Sequence, residues 1–220
     1  MRTRDPDKSK QGILLAAEKE FAERGFFGAR VDEIAAGAQI NKRMIYAYFG
    51  DKEGLYKQVL FQVYARMEAV EQALIAQKHT GKELVQKIIS AYFDFLRDNP
   101  SFVSILMWEN LNRGLYLREL ENSRIERSTI RYFVDALEEG RRTGVFRSDI
   151  DPWHTALSLI TTCFANFSNQ YTLSKLFAKD LANGEMIEQR KKHTVDMMVA
   201  YLCAESGGHI CAKSIGTKKL

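Results

Sequence analysis

Proline is scarce in this chain, with three residues among 220, beside fourteen glycines. Turn-rich β architectures need more punctuation than that, and long uninterrupted helices fit better. The three cysteines, Cys163, Cys203 and Cys211, are odd in number and share no metal-ligand or redox spacing. No run of about 18 apolar residues exists, which excludes a helical membrane span. The first eight residues, Met1 to Lys8, hold no apolar signal region. These absences point to a cytoplasmic protein with free thiols. The signatures of catalysis are missing as well. His79, His154, His193 and His209 are scattered over separate segments without metal-ligand spacing. Asp149 and Asp151 belong to a loop and a cap, and Cys163 sits inside an apolar helix, where a thiol is inert. No glycine-rich phosphate loop or nucleophile elbow is present. The expectation is a protein that is not an enzyme and carries no metal and no cofactor.

What remains is a well-balanced globular composition. The chain is 45% hydrophobic and 27% charged, and its 25.2 kDa leaves room for one ordinary domain plus a small one. Lysine and arginine number 32 against 28 acidic residues, giving a net charge of +4. That mild basic excess is compatible with nucleic acid.

Hydrophobic spacing places about nine helices and no strands. Ile13, Leu14, Ala17 and Phe21 mark the first helix, ended by Gly25. Val31, Ile34 and Ala35 mark a short second helix, which a turn over residues 37–40 closes. Asn41 is a good N-cap for a short third helix with Met44, Ile45, Tyr46 and Phe49. Asp51 caps a fourth, about 25 residues long, with a stripe running from Leu55 to Leu74. A fifth carries Leu84 to Leu96. Asn99-Pro100 and Asp151-Pro152 are cap-plus-proline starts for the sixth and eighth. The seventh is expected from Gly114 to about Arg142, the eighth to about Tyr171, and the ninth over residues 186–204. Residues 206–220 form a basic, aperiodic tail, expected to be disordered.

Three short helices with a tight turn between the second and third form a helix-turn-helix candidate. Its third helix must enter the major groove with its first turn toward the bases. Between Ile34 and Gly50 there is no acidic residue, while Lys42 and Arg43 open the third helix. Tyr46 and Tyr48 add hydroxyls that can donate to phosphate, and Lys52 stands at the start of the fourth helix. Arg2 and Arg4 precede the first helix, where a flexible arm can reach a minor groove or lie solvated.

The segments Val31-Asp-Glu-Ile-Ala35 and Ile40-Asn-Lys-Arg-Met-Ile-Tyr-Ala-Tyr-Phe-Gly-Asp-Lys-Glu-Gly-Leu55 resemble the DNA-binding domain of the TetR (tetracycline repressor) family. Ile45, Tyr46, Phe49, Lys52 and Leu55 fall on that family's Leu-Tyr-x-x-Phe-x-x-Lys-x-x-Leu pattern. The resemblance covers about residues 10–60. It implies an all-α homodimer that represses transcription from a palindromic operator and is released by a small ligand. It implies a helix-turn-helix domain over 8–55, with the motif at about 33–52, and a helical ligand-binding and dimerisation domain over 56–205. DNA contacts are expected from Arg30, Asn41, Lys42, Arg43, Met44, Tyr46, Tyr48 and Lys52. Two positions depart from the pattern. Gln39 stands where the family has glycine, which costs about 1–2 kcal/mol if the site is left-handed. Arg30 replaces the usual Thr or Ser cap of the second helix.

The second half is rich in large apolar side chains, each of which alone reads as core. Together they can line an apolar pocket for a small, mostly apolar effector. The expected lining is Tyr92, Phe95, Met107, Trp108, Phe133, Phe164, Asn166, Phe167 and Gln170, with Asn166 and Gln170 at i and i+4 on one helical face. Asn110 is a further polar candidate. The eighth and ninth helices carry more apolar surface than one intrachain contact needs. Their likeness to the last two helices of TetR-type proteins implies a homodimer through an intersubunit four-helix bundle. A helical adaptor that binds another protein is the competing reading, against which stands the basic third helix.

Overall fold

The computed structural model of the chain describes residues 6–120 and 128–203, and within them every regular element is a helix. In chain order these are α1 (Pro6–Gly28), α2 (Val31–Gly37), α3 (Lys42–Phe49), α4 (Lys52–Ala76), α5 (Gly81–Asp98) and α6 (Pro100–Leu111). There follow α7 (Leu117–Leu120), α8 (Ser128–Arg142), α9 (Pro152–Ser168), α10 (Gln170–Phe177) and α11 (Gly184–Cys203). No helix among the described residues is long and apolar enough to cross a membrane. Arg2, Arg4 and the basic tail lie outside the described residues.

The predicted stripes are the core. Ile13, Ala17 and Phe21 of α1, Ile45 of α3 and Leu55, Val59, Leu60 and Val63 of α4 are fully buried. Of the expected seventh helix the structure describes α7 and α8, and its middle, residues 121–127, lies outside the described residues. One expectation on an element boundary changes. The expected eighth helix stops at Ser168 rather than reaching Tyr171. Asn169 leaves helical geometry (φ −110°, ψ 10°), and both its backbone N–H and its side-chain amide donate to the Ala165 carbonyl. That closes α9, and α10 begins at Gln170. Asn166 and Gln170 therefore sit on different helices and do not share one helical face.

α4 serves both halves of the chain. It packs on α1 and α3 and also on α5, α6 and α8. Tyr56, off the expected stripe, is fully buried because α4 is covered on two sides. Its ring meets those of Phe21, Phe26 and Tyr116, and its hydroxyl donates to the buried carboxylate of Glu109 on α6 at 2.9 Å. The second Glu109 oxygen accepts from the Leu117 amide at 3.0 Å. Both acceptors of this buried group are thus used. Burial, reinforced by the Glu109 charge, pushes the Tyr56 phenol well above its ordinary value, so it remains a donor.

α1 runs along α6. Glu18 of α1 accepts both ends of the Arg66 guanidinium of α4, at 2.6 and 2.9 Å, and the Ser101 hydroxyl of α6. Burial alone would raise the Glu18 pKa, but the hydrogen bonds from Arg66 and Ser101 outweigh it and hold the carboxyl below its usual range. The stabilisation this gives is present above the unfolded carboxyl value of about 4.3 and is lost as pH falls through the lower folded value.

Further along, Gly25 adopts φ 65° and ψ 177°, a conformation open essentially to glycine alone. The Trp108 indole of α6 lies against it, so close that a Cβ there would sit 2.7 Å from the ring. The indole N–H donates to the Ala22 carbonyl at 3.1 Å, one of the carbonyls left open where α1 breaks. Gly25→Ala should destabilise the protein by about 2–4 kcal/mol, combining backbone strain with overpacking. Thermal unfolding should read this as a clear drop in Tm, and an unchanged Tm would refute the close approach.

Candidate nucleic-acid interface

The turn between α2 and α3 is built by backbone hydrogen bonds. The Gln39 N–H donates to Ala36 O and the Ile40 N–H to Ala35 O, both at 3.0 Å. This is the paired pattern of a Schellman ending. It requires a left-handed residue, and Gln39 supplies it with φ 53°. Gly37 is the last residue of α2. Asn41 then caps α3, accepting from the Arg43 amide at 2.9 Å. Gly50 (φ 77°) ends α3, and Asp51 caps α4 through the Gly54 amide at 2.7 Å. Gly54 was not singled out from the sequence. A Cβ there would lie 2.1 Å from the Phe49 carbonyl oxygen. Its missing side chain therefore fixes how closely α3 abuts α4. A glycine in the first turn of a long helix, where it costs helix stability, was the available signal.

The structure divides the expected DNA-contact residues. Arg30, Asn41, Arg43 and Tyr46 are exposed, while Lys42, Met44, Tyr48 and Lys52 are half-buried. Ile45 turns inward, so the outer face of α3 carries Lys42, Arg43 and Tyr46 at helical spacing. Arg30 is the N-cap position of α2 but makes no side-chain cap; its amide donates to Glu20 instead. The Lys42 ammonium pairs with Asp32 of α2 at 2.8 Å, and this hydrogen bond holds it above the ordinary lysine range. The ring of Tyr48 lies edge-on to Phe49 and under Lys10, at 5.9 Å. Lys52 points into the domain. Its ammonium donates to the Ala29 carbonyl at 2.6 Å and lies 4.9 Å from the Phe26 ring centre, and burial lowers its pKa. It ties α4 to the segment between α1 and α2.

The second half contains a cavity of about 530 Å³ lined by residues of α4, α5, α6, α8 and α9. Tyr92 and Phe164, expected there, line it, as does Asn110. Phe133 lines a small adjoining recess that shares Tyr92, Ile130 and Ile160 with it. Met107, Trp108, Phe167 and Gln170 line a different cavity of about 470 Å³ that also touches Ala22 of α1. Phe95 and Asn166 line neither. Phe95 packs on Phe102, and Asn166 is buried with its amide nitrogen unpartnered. Sequence reasoning missed the α4 wall of the main cavity, Phe61, Tyr64, Glu68 and Glu71. Their 3-4-3 spacing is a second stripe beside the core stripe, and it was legible. Among the described residues no cluster of three or more histidine, cysteine or acidic side chains could hold a metal.

The apolar surface expected at a dimer interface is partly spent within the chain. Ala156, Cys163, Phe167, Ile187, Met198 and Leu202 are core. Trp153 and Leu157 of α9 and Met197 and Tyr201 of α11 remain exposed.

Comparison with known proteins agrees with this arrangement. Residues 13–59 match the family model described as bacterial regulatory proteins, tetR family. Residues 82–198 match the model described as tetracyclin repressor-like, C-terminal domain. Among curated relatives, the HTH-type transcriptional repressor NicS of Pseudomonas putida is 35% identical over 184 residues, covering 83% of this chain and 87% of that protein. The HTH-type transcriptional repressor SCO4008 of Streptomyces coelicolor is 33% identical over 150 residues, covering 68% and 73%. The solved structure of FadR from Bacillus subtilis in complex with stearoyl-CoA shares the fold, with a TM-score of 0.66 at 20% identity over 87% of this chain and 98% of that one.

Three substitutions test the geometry of the α2–α3 unit. Gln39→Gly should stabilise the protein by about 1 kcal/mol in chemical denaturation, because the left-handed strain disappears. Lys42→Ala should weaken DNA binding and reduce the slope of log K against log salt by about one. Asp32→Asn should tighten binding by freeing the same ammonium. An unchanged slope in Lys42→Ala would remove Lys42 from the phosphate contacts.

Proposed function

The chain belongs to the TetR family of bacterial helix-turn-helix transcriptional regulators, and from that we propose that it is a homodimeric repressor released from a palindromic operator by a small ligand held in the main cavity. The observation that carries the ligand-release reading is the position of α6. One side of this helix, at Phe102, Leu106 and Asn110, walls the cavity. Other positions on the same helix hold the DNA-binding half: Ser101 on Glu18, Trp108 on Ala22 and Gly25, and Glu109 on Tyr56. α4 shares both duties, since its Phe61–Glu71 stretch lines the cavity and its N-terminus abuts α3. At 1.5 Å per residue this 25-residue helix is about 37 Å long. A small tilt at the cavity therefore displaces the recognition helix by ångströms.

Release requires two recognition helices that must fit their grooves together. The exposed Trp153, Leu157, Met197 and Tyr201 side chains support a two-fold interface through α9 and α11. In that dimer Arg30, Asn41, Lys42, Arg43, Met44, Tyr46, Tyr48 and Lys52 surround the groove, with Lys42, Arg43 and Tyr46 leading. Lys52 acts from behind, holding α4 to α1 and adding its charge to the field there. No chemistry in this reading calls for a catalytic group, and the site of action is the cytoplasm, beside the chromosome.

Selection of bound duplexes from a random pool tests the function. The expected result is an enriched inverted repeat whose half-site centres lie about one helical turn or more apart. Sedimentation should show a dimer, and Leu157→Asp combined with Tyr201→Asp should yield a folded monomer that has lost operator affinity. Enrichment of no sequence, or a monomer that binds as tightly as wild type, would contradict the proposal.

A further inference from the structure

The main cavity is chemically lopsided. Its walls carry the rings of Phe61, Tyr64, Tyr92, Phe102 and Phe164. They also carry two carboxylates, Glu68 and Glu71, one turn apart on α4, while no lysine, arginine or histidine is among the described lining residues. The two carboxylates differ in their engagement. Glu71 accepts the Tyr92 hydroxyl at 2.6 Å. Burial, followed by the Glu71 charge, pushes the Tyr92 phenol far above its ordinary value, so it keeps its proton and serves as a donor to the carboxylate. Glu68 is half-buried in the same wall and has no hydrogen-bond or ion-pair partner among the described residues. Tyr64 stands one turn before it on the same face of α4, and Phe61 two turns before.

A carboxylate facing an aromatic cavity has lost part of its water and, among the described residues, gained no countercharge. The group that satisfies both features is a cation on an apolar body, since ammonium groups are attracted to ring faces as well as to carboxylates. An anionic ligand would instead meet like charge. We propose that the effector of this cavity is a lipophilic cation, a protonated amine or quaternary ammonium on an aromatic or aliphatic body, with its charge set at Glu68 beside the Tyr64 ring. This deepens, and rests on, the reading of the cavity as the effector site. A cavity of about 530 Å³ accepts a body the size of two or more fused or linked rings.

Three probes with one rigid body separate charge from shape: (biphenyl-4-ylmethyl)trimethylammonium, biphenyl-4-methanol and biphenyl-4-carboxylate. Calorimetric titration of the full-length protein should find the ammonium compound bound at least about tenfold tighter than the carboxylate, with the alcohol between. Glu68→Gln should remove most of that preference, and binding of the alcohol to the same variant reports that the cavity is still formed. Tyr64→Leu should weaken the ammonium compound more than the alcohol. The proposal is overturned if the carboxylate binds as tightly as the ammonium compound, if Glu68→Gln leaves the preference intact, or if none of the three binds. An operator release assay with the ammonium compound keeps the two readings apart. Tight, Glu68-dependent binding that leaves operator affinity unaltered supports the cation site and contradicts ligand release. Release by the carboxylate but not by the ammonium compound upholds ligand release and overturns the cation site.

Discussion

The indole of Trp108 reaches α1 only because residue 25 has no side chain. Every other link between the two halves of the chain is consistent with that close approach. With α6 lying along α1, Ser101 comes within reach of Glu18, and Glu18 in turn clasps Arg66 of α4. Two turns on, Glu109 meets Tyr56. Two buried or nearly buried carboxylates, one from each half, thus receive donors from the other half. Buried polar groups of this kind tolerate few arrangements, because a displaced partner leaves an unsatisfied charge. The junction is accordingly one that resists gradual sliding and favours discrete arrangements, the property a two-state regulator needs.

The DNA-binding half was largely legible in the sequence. Apolar spacing located α1 to α4 and their buried faces, because each helix has one core side and one wet side. Asn41 and Asp51 were readable as caps since the side-chain chemistry of a helix start is local. The conformation of Gln39 was not readable in the same way. Glutamine has no preference for a left-handed turn, and only the backbone bonds around it impose one. Lys52 shows a different limit. Its position in the motif points to phosphate but gives no hint of the bond its ammonium makes to Ala29, a partner 23 residues away that no local pattern reveals.

The second half was less legible for a physical reason. Periodicity tells which side of a helix is apolar but not what that side faces. Trp108 and Tyr92 have the same composition signal, yet one braces α1 and the other walls a cavity. Asn166 and Gln170 share a face only on a helix that continues past Asn169, and α9 stops at Ser168. The cavity wall of α4 stands beside the stronger core stripe, and Phe61, Tyr64, Glu68 and Glu71 mark it by their helical spacing. Glu68 is a charged residue in that wall rather than on a solvated face, and it is the position where chemistry rather than packing defines the site.

The central claim is that α6 carries the state of the cavity to the DNA-binding half through Trp108. The chain has two tryptophans, so Trp153→Phe leaves Trp108 as the sole reporter at the junction. Its fluorescence should be measured in the free protein, with saturating operator, and with a ligand filling the cavity. The account predicts that operator and ligand shift the Trp108 emission in opposite directions, and that adding ligand to the operator complex reverses the operator's effect as DNA is released. Ligand-driven release with a Trp108 emission unchanged in all three states would contradict it.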